Sequence, residues 1–371
     1  MNGRRIRLGM VGGGQGAFIG GVHRIAARLD GRFDLVAGAL SSDPARAEAS
    51  AQELGLARSY SDFKEMARAE AARDDGIEAV AIVTPNHMHL PAARAFLEAG
   101  IHVICDKPLT ATLAEAEELA RVAEASEALF ILTHTYAGYP MVREARRLVA
   151  KGALGEIRVV QVEYAQDWLA RDESNKQAEW RTDPARSGAG GAVGDIGSHA
   201  AHLARYVSGL AIESVAAQLT AFVPGRRVDD DTQALLRFAG GARGMLWASQ
   251  VAPGHDNDLR LRVLGSEAGL EWSHADPNRL RLTRLGEPSQ MLTRGGPGFE
   301  GAARVPAGHP EGYLEAFASL YSDAADAILS GAMPDSLPGL SDGLDGMRFI
   351  DACVASSQAD GAWTTCQGHD R

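Results

Sequence analysis

Cysteine is scarce in this chain. Cys105, Cys353 and Cys366 are three thiols in 371 residues, odd in number and far apart. Such spacing offers neither a disulfide framework nor a zinc pattern, which points to a reducing cytoplasm and to buried or incidental thiols. Long apolar runs are missing too. Stretches such as residues 79–83 fall far short of the ~20 residues that a membrane-spanning helix needs. The opening seven residues lead into a strand-like segment and glycines, without the features of a signal peptide. No block of Lys and Arg occurs. With 37 basic against 48 acidic side chains the net charge is −11, a poor basis for the phosphate contacts that dominate nucleic-acid binding. What is present is ordinary globular material, 45% apolar and 23% charged, long enough for two domains and free of repeats or low-complexity tracts.

The first third alternates short apolar runs with helical patterns. Strands are predicted at 6–11, 33–40, 79–83, 102–105 and 130–133, and helices at 22–29, 44–54, 61–73, 90–99 and 113–127. Pro44 suits a first helical turn, and Thr112 with Glu115 reads as a capping box. Alternation of this kind specifies parallel βαβ units, hence an α/β domain of the Rossmann type over residues 1–133. Residues 134–371 read differently. A helix near 141–151 and a strand at 157–165 precede a polar, glycine-rich segment at 166–194 and a helix at 196–207. Strand signals then crowd together at 214–223, 232–238, 243–251, 259–264, 270–273 and 280–283, with Gly240-Gly241 as a hairpin turn. Helices at 312–329 and 340–359 close the chain. The pattern is that of an α+β domain on a large, mostly antiparallel sheet.

Gly12, Gly14, Gln15, Gly16 and Ala17 form the turn between the first strand and its helix. Gly12-x-Gly14-x-x-Ala17 allows a tight turn and brings backbone N–H groups close to a pyrophosphate, although Gly20 and Gly21 suggest a longer loop. A dinucleotide fold offers an acid after its second strand for the ribose hydroxyls. Here Ser41 and Ser42 stand there, with Asp43 and Arg46 beyond. Ser41 with Arg46 suits a 2′-phosphate while Asp43 suits a helix cap, so NAD and NADP both stay open. Thr84, Pro85, Asn86 and His89 follow the 79–83 strand, at the carboxyl edge where such sheets bind ligands. Asp106-Lys107-Pro108 follows the next strand, and an ammonium there could polarise a hydroxyl or carbonyl. Asp195 and His199, four apart at a predicted helix start, place a carboxylate and an imidazole on one face. The same pair also reads as a helix cap with a packed histidine, but the glycines of 188–191 ahead of it favour a functional turn. No third ligand of suitable spacing supports a metal.

Together these motifs resemble the Gfo/Idh/MocA oxidoreductases, a family whose members include glucose–fructose oxidoreductase and inositol dehydrogenase. The resemblance spans essentially the whole chain. It implies that the second domain carries an open-faced sheet used for homodimer or homotetramer assembly. It implies NAD or NADP as cofactor, and oxidation of a ring hydroxyl of a sugar, sugar derivative or inositol, or reduction of the matching ketone. Lys107 takes the place of the catalytic lysine, His199 that of the acid/base and Asp195 that of the substrate-orienting carboxylate. Three departures stand out: Asp106 replaces the family's usual Glu, the glycine loop is longer, and Ser41 replaces a ribose-binding Asp. Tyr136, Trp168, Trp180, Arg181, Asp183 and His309 are candidate carbohydrate contacts, because aromatic faces and bidentate polar groups suit such ligands. Trp247 and Trp272 are expected in the core or an interface. Two other readings compete, an NAD-dependent glycosidase acting by transient oxidation and a non-catalytic sensor on the same fold.

Overall fold

The computed structural model describes residues 4–173 and 176–366. The extreme ends of both expected domains, and residues 174–175 of the polar segment, lie outside the described residues. By contacts the chain divides into two compact units, residues 1–138 with 313–344, and residues 139–312 with 345–371.

In the first unit, β1 (Ile6–Gly12), β2 (Phe33–Ala39), β3 (Arg58–Ser59), β4 (Ala79–Val83), β5 (His102–Cys105) and β6 (Phe130–Leu132) alternate with α1 (Phe18–Leu29), α2 (Pro44–Leu54), α3 (Phe63–Ala71), α4 (His89–Glu98) and α5 (Leu113–Glu124). The strands pair in parallel in the order β3-β2-β1-β4-β5-β6. That order reverses direction between β1 and β4, the switch point where doubly wound sheets open a ligand crevice beyond their strand ends. Every residue of β4 is buried, as its uninterrupted apolar run requires where helices cover both faces. Ile6, Leu8 and Met10 of β1 are also sealed in, each contributing roughly 1.5–3 kcal/mol by burial. Asp43 caps α2 with Pro44 in its first turn, and the Thr112–Glu115 capping box opens α5. The predicted helix at 22–29 begins earlier, at Phe18, and the two-residue β3 was too short to show a period. Helix α10 (Tyr313–Ser330) packs on α1, with Tyr321 edge-on to both His23 and Phe33.

In the second unit, α6 (Pro140–Ala150), β7 (Ile157–Ala165), α7 (Lys176–Arg181), α8 (Pro184–Ser187) and α9 (Ser198–Ser208) precede β8 (Ile212–Thr220), β9 (Asp231–Phe238), β10 (Arg243–Ser249), β11 (Asp258–Gly265), β12 (Ala268–Ser273), β13 (Arg279–Arg284) and β14 (Gln290–Thr293). Helix α11 (Leu340–Gln358), most of which belongs to this unit, and β15 (Thr364–Thr365) complete it. The sheet order is β14-β13-β12-β11-β7-β10-β9-β8-β15. It is mixed and mostly antiparallel, with β7 and β10 running parallel at its centre. Helices α6 and α9 cover one face. On the other face Leu235 and Met245 stay exposed, while Leu236 and Leu246 point inward. This is the in–out alternation of a sheet with one uncovered side. Gly240 and Gly241 turn β9 into β10, both at positive φ. The segment 166–194 is not wholly irregular, because α7 and α8 lie within it; each is too short to show a periodic apolar stripe. Trp272 is buried, stacked obliquely on Tyr139, whereas Trp247 lies on the open face with Nε1 donating to Asp231 at 3.0 Å.

Helix α1 sets up a sharp test of glycine placement. A Cβ on Gly20 would lie 2.4 Å from the Cα of Gly13, whereas one on Gly21 meets only the tip of Arg24 at 3.9 Å. Gly20→Ala is expected to destabilise by about 1–3 kcal/mol through overpacking. Gly21→Ala is expected to be neutral or to stabilise by up to about 1 kcal/mol through helix propensity. Urea midpoints of the two variants check this directly.

Candidate active-site residues

The first unit gathers its candidates at the carboxyl ends of β1, β4 and β5. Gly12, Gly13 and Gly16 have φ of 78°, 72° and 76°, backbone angles that side chains avoid. A Cβ on Gly14 would come 2.7 Å from the Leu40 carbonyl, and the space over Gly16 is open. Gln15 is tied to α2, its N–H donating to Ser50 Oγ at 3.3 Å and its side chain to Glu53 at 3.1 Å. Ala17 ends the loop as the residue before α1. Arg24 donates to the Gly13 carbonyl at 2.7 Å, and Gly20 presses on Gly13, so the close helix–strand approach falls at Gly20 rather than at Ala17. Beside the loop lies a cavity of about 360 Å³ lined by residues 13–18, Arg24, Ser50, Glu53 and Leu54.

Thr84 adjoins Gly12, and its buried Oγ1 has no hydrogen-bond partner among the described residues. An open glycine cradle at the switch point, next to an unsatisfied hydroxyl, fits a dinucleotide. Beyond β2, Asp43 spends its carboxylate on the Arg46 N–H of α2, at 2.8 Å. Ser41 Oγ accepts from the Asp43 N–H at 3.2 Å, and Ser42 and Arg46 are exposed.

Pro85 leads into a short turn carrying Asn86, which is buried. His89 is a clamp. Its ring nitrogens lie 2.8 Å from the Pro108 carbonyl and 2.9 Å from that of Thr84, tying the β4 loop to the β5 loop. Burial holds its pKa below the ordinary 6.5, outweighing the upward pull of Asp106 and of the carbonyls. At the end of β5, Asp106 Oδ1 accepts from the Lys107 N–H at 3.0 Å and from Thr133 Oγ1 at 3.1 Å, and a cis peptide joins Lys107 to Pro108. Tyr136 is buried in the turn after β6.

The second unit builds its cluster on sheet register. Because β7 and β10 are parallel, their carboxyl ends lie side by side, and the antiparallel β9 and β11 begin at the same edge. Gln166, Gln250, Asn257 and Asp229 therefore flank that edge. Asp195 is not an N-cap. It sits inside a π-helical turn, Val193–Gly197, which leads directly into α9. Such wide turns recur at functional sites because they re-aim side chains. The Asp195 Oδ2 accepts from Gln250 Nε2 at 2.9 Å and from Arg181 Nε at 3.2 Å. Arg181 is stacked on Trp180 at 4.3 Å and lies 5.8 Å from the Trp168 ring. Trp168 in turn donates to Gln166 at 2.9 Å.

Gln166 and Tyr164 both donate to Asn257 Oδ1 at 2.6 Å, and Tyr164 lies beside the His199 ring at 6.3 Å between centroids. A further chain runs from Asn257 to His274 and on to Tyr139. Asp183 is occupied elsewhere, capping α8 and pairing with Arg227 at 2.8 Å. His309 is exposed on a loop whose carbonyls are gripped by buried Arg294.

The turn bearing Asp195 is anchored by Asp229, which sequence reasoning missed. Its carboxylate accepts from Gly191 N at 2.6 Å, Val193 N at 2.8 Å and Thr232 Oγ1 at 2.8 Å. Burial pushes its pKa up, against the backbone donors that pull it down. Gly188 takes a glycine-only conformation, φ 97° and ψ −177°. A Cβ on Gly191 would strike the Asp229 carbonyl at 2.0 Å. Gln250, Asn257 and Asp229 left no local signal, because their roles come from register between distant strands. Among the described residues no group of His, Cys, Asp or Glu side chains gathers in a way that could hold a metal. No helix among them is long and apolar enough to cross a membrane.

Residues 6–134 match the oxidoreductase family model with an NAD-binding Rossmann fold, and residues 142–271 match the Gfo/Idh/MocA C-terminal domain. An oxidoreductase from Sinorhizobium meliloti is 54% identical in its crystal structure, with a TM-score of 0.89 over 97% of this chain and 99% of that one. The chain belongs to the Gfo/Idh/MocA oxidoreductase family. Among Gfo/Idh/MocA structures, an inositol dehydrogenase homologue from Azotobacter vinelandii, complexed with NADH and myo-inositol, is 37% identical, with a TM-score of 0.90 over 98% of both chains. Levoglucosan dehydrogenase of Pseudarthrobacter phenanthrenivorans is 28% identical over 97% of this chain and 98% of its own length. The family's first domain is NAD-binding, and the relatives are named as oxidoreductases or, more narrowly, as dehydrogenases.

The two buried histidines of the first unit carry a pH dependence. Burial lowers the pKa of both His23 and His89 below 6.5, so the unfolded chain binds more protons than the folded one as pH falls through that value. Their contribution to stability is complete above pH 6.5 and is lost progressively below it. Urea midpoints are expected to drop between pH 7 and pH 5, and the slope to flatten in His89→Gln.

Proposed function

We propose that this protein oxidises a ring hydroxyl of a sugar, sugar derivative or cyclitol with NAD or NADP, or reduces the corresponding ketone. The observation that carries the reading is the Asp195 cluster: a carboxylate oriented by Arg181 and Gln250, one helical turn before His199, with Arg181 in turn beside the rings of Trp168 and Trp180. Carboxylate, amide, guanidinium and indole together suit the hydroxyls and apolar faces of a carbohydrate. The substrates in the names of the inositol and levoglucosan relatives point the same way.

In this mechanism Asp195 accepts hydrogen bonds from substrate hydroxyls and sets the ring's orientation. His199 takes the proton of the reacting hydroxyl. The Lys107 ammonium stabilises the negative charge that develops on that oxygen, the electrostatic contribution that is usually largest. When bound, the nicotinamide supplies the hydride acceptor for the carbinol carbon. The glycine loop would hold the pyrophosphate, and Thr84, Asn86 and Asp106, at the carboxyl ends of β4 and β5, would hold the rest of the dinucleotide. Asp43 is committed to its helix cap, so Ser41, Ser42 and Arg46 are the side chains that decide between NAD and NADP.

The test is growth of reduced-nicotinamide absorbance with NAD or NADP across a panel of inositols, aldoses, anhydrosugars and glycosides. Turnover of a polyol is expected, falling about 10²–10⁴-fold in His199→Ala, the usual worth of a general base, and falling strongly in Lys107→Ala, with both variants still binding cofactor. Release of an aglycone without net cofactor reduction would overturn the dehydrogenase in favour of the glycosidase. Cofactor and sugar binding with neither reaction would leave a sensor.

A further inference from the structure

His23 has no role in that mechanism, yet its ring is fully buried in α1. Its Nδ1 lies 2.8 Å from the hydroxyl of Tyr321, itself 1% exposed, and its Nε2 lies 4.0 Å from Asp106 Oδ1. That Nε2 is buried without a hydrogen-bond partner among the described residues. Phe317 packs obliquely on the ring at 5.0 Å and Tyr321 edge-on, so the imidazole is held in place from α10.

We infer that His23, braced by Tyr321, is a positioning residue that presents Nε2–H to Asp106 and so aims this carboxylate at the nicotinamide end of the bound cofactor. The inference rests on the oxidoreductase reading above and deepens it.

The tautomer follows from the surroundings. If Nδ1 carried the proton, a bare Nε2 lone pair would face a carboxylate oxygen across 4.0 Å of buried space. If Tyr321 donates to Nδ1, the proton sits on Nε2 and faces the negative charge. The second arrangement removes a repulsion and supplies an attraction, and burial keeps the ring neutral so that a single proton must choose.

Asp106 is arranged to use it. Oδ1 already accepts from the Lys107 N–H and Thr133 Oγ1, and His23 Nε2 lies 4.0 Å from the same oxygen. Both of these hydrogen bonds fall on Oδ1 rather than Oδ2, and the side chain keeps 16% of its surface open. One oxygen thus anchors the carboxylate while the other is available to a ligand. The 4.0 Å separation is long for a hydrogen bond, but such contacts tighten when the ligand that completes the site is bound.

The experiment is a fluorescence titration with NADH and NADPH on the full-length protein, beside thermal melts. His23→Leu is expected to weaken binding about tenfold, the loss of one buried charge-assisted hydrogen bond. His23→Gln, which keeps an N–H donor, is expected to restore most of it. In an Asp106→Asn background, His23→Leu is expected to cost nothing further, because there is no charge left to aim. Nitrogen-15 shifts of histidine-labelled protein are expected to show protonated Nε2 and bare Nδ1 at His23. Wild-type affinity in a normally melting His23→Leu, an equal loss in the Asp106→Asn background, or the opposite tautomer would each overturn the inference while leaving the oxidoreductase reading intact. A wild-type protein that binds neither cofactor would overturn both.

Discussion

The hydrogen bonds from the backbone of Gly191 and Val193 to the carboxylate of Asp229 hold the start of the helix that carries the second unit's candidate residues, Asp195 and His199. A buried carboxylate is costly to desolvate unless donors converge on it. Here those donors are the otherwise unsatisfied N–H groups of a helix beginning, so each group answers the other's requirement. The consequence is geometric. With the chain pinned at Gly191, the wide turn that follows carries Asp195 toward Arg181 and Gln250, and α9 presents His199 beside Tyr164. Gly191 is the residue that lets the chain lie this close to the start of β9, since a Cβ there would strike the Asp229 carbonyl.

The first unit applies a comparable constraint at the glycine turn. Gly20 of α1 rests on Gly13 and brings the helix N-terminus against the end of β1. The same helix carries His23 inward to Tyr321 and toward Asp106, so its packing also governs the end of β5. His89 ties the loops after β4 and β5 to each other. The candidate cofactor-binding and catalytic segments of this unit are therefore supported by a shared set of buried polar contacts centred on His23 and His89.

Some of the site was open to reading along the chain. The glycine turn, the steps after β4 and β5, and the Asp195–His199 spacing are local, and local spacing survives folding because it is set by the backbone's own periods. The N-cap reading of Asp195 missed the π turn, since a single extra residue per turn leaves no periodic trace. Gln250 and Asn257 were invisible for a different reason. Each sits at a strand end with unremarkable neighbours and acquires a role only when the β7–β10 register brings four strand ends to one edge. His309 illustrates the converse, a residue of suitable type whose loop leaves its ring at the surface.

The sequence by itself determined the order of the longer elements, the parallel character of the first sheet and the family, because alternating apolar runs, caps and glycines act within a dozen residues. It also determined the absence of a long apolar span. Only the tertiary structure decided that α10 belongs with the first unit, that β7 pairs in parallel with β10, and that Asp229 and His23 lie behind the candidate site residues. Those assignments depend on which distant surfaces bury each other, a free-energy balance summed over the whole chain that no local window contains.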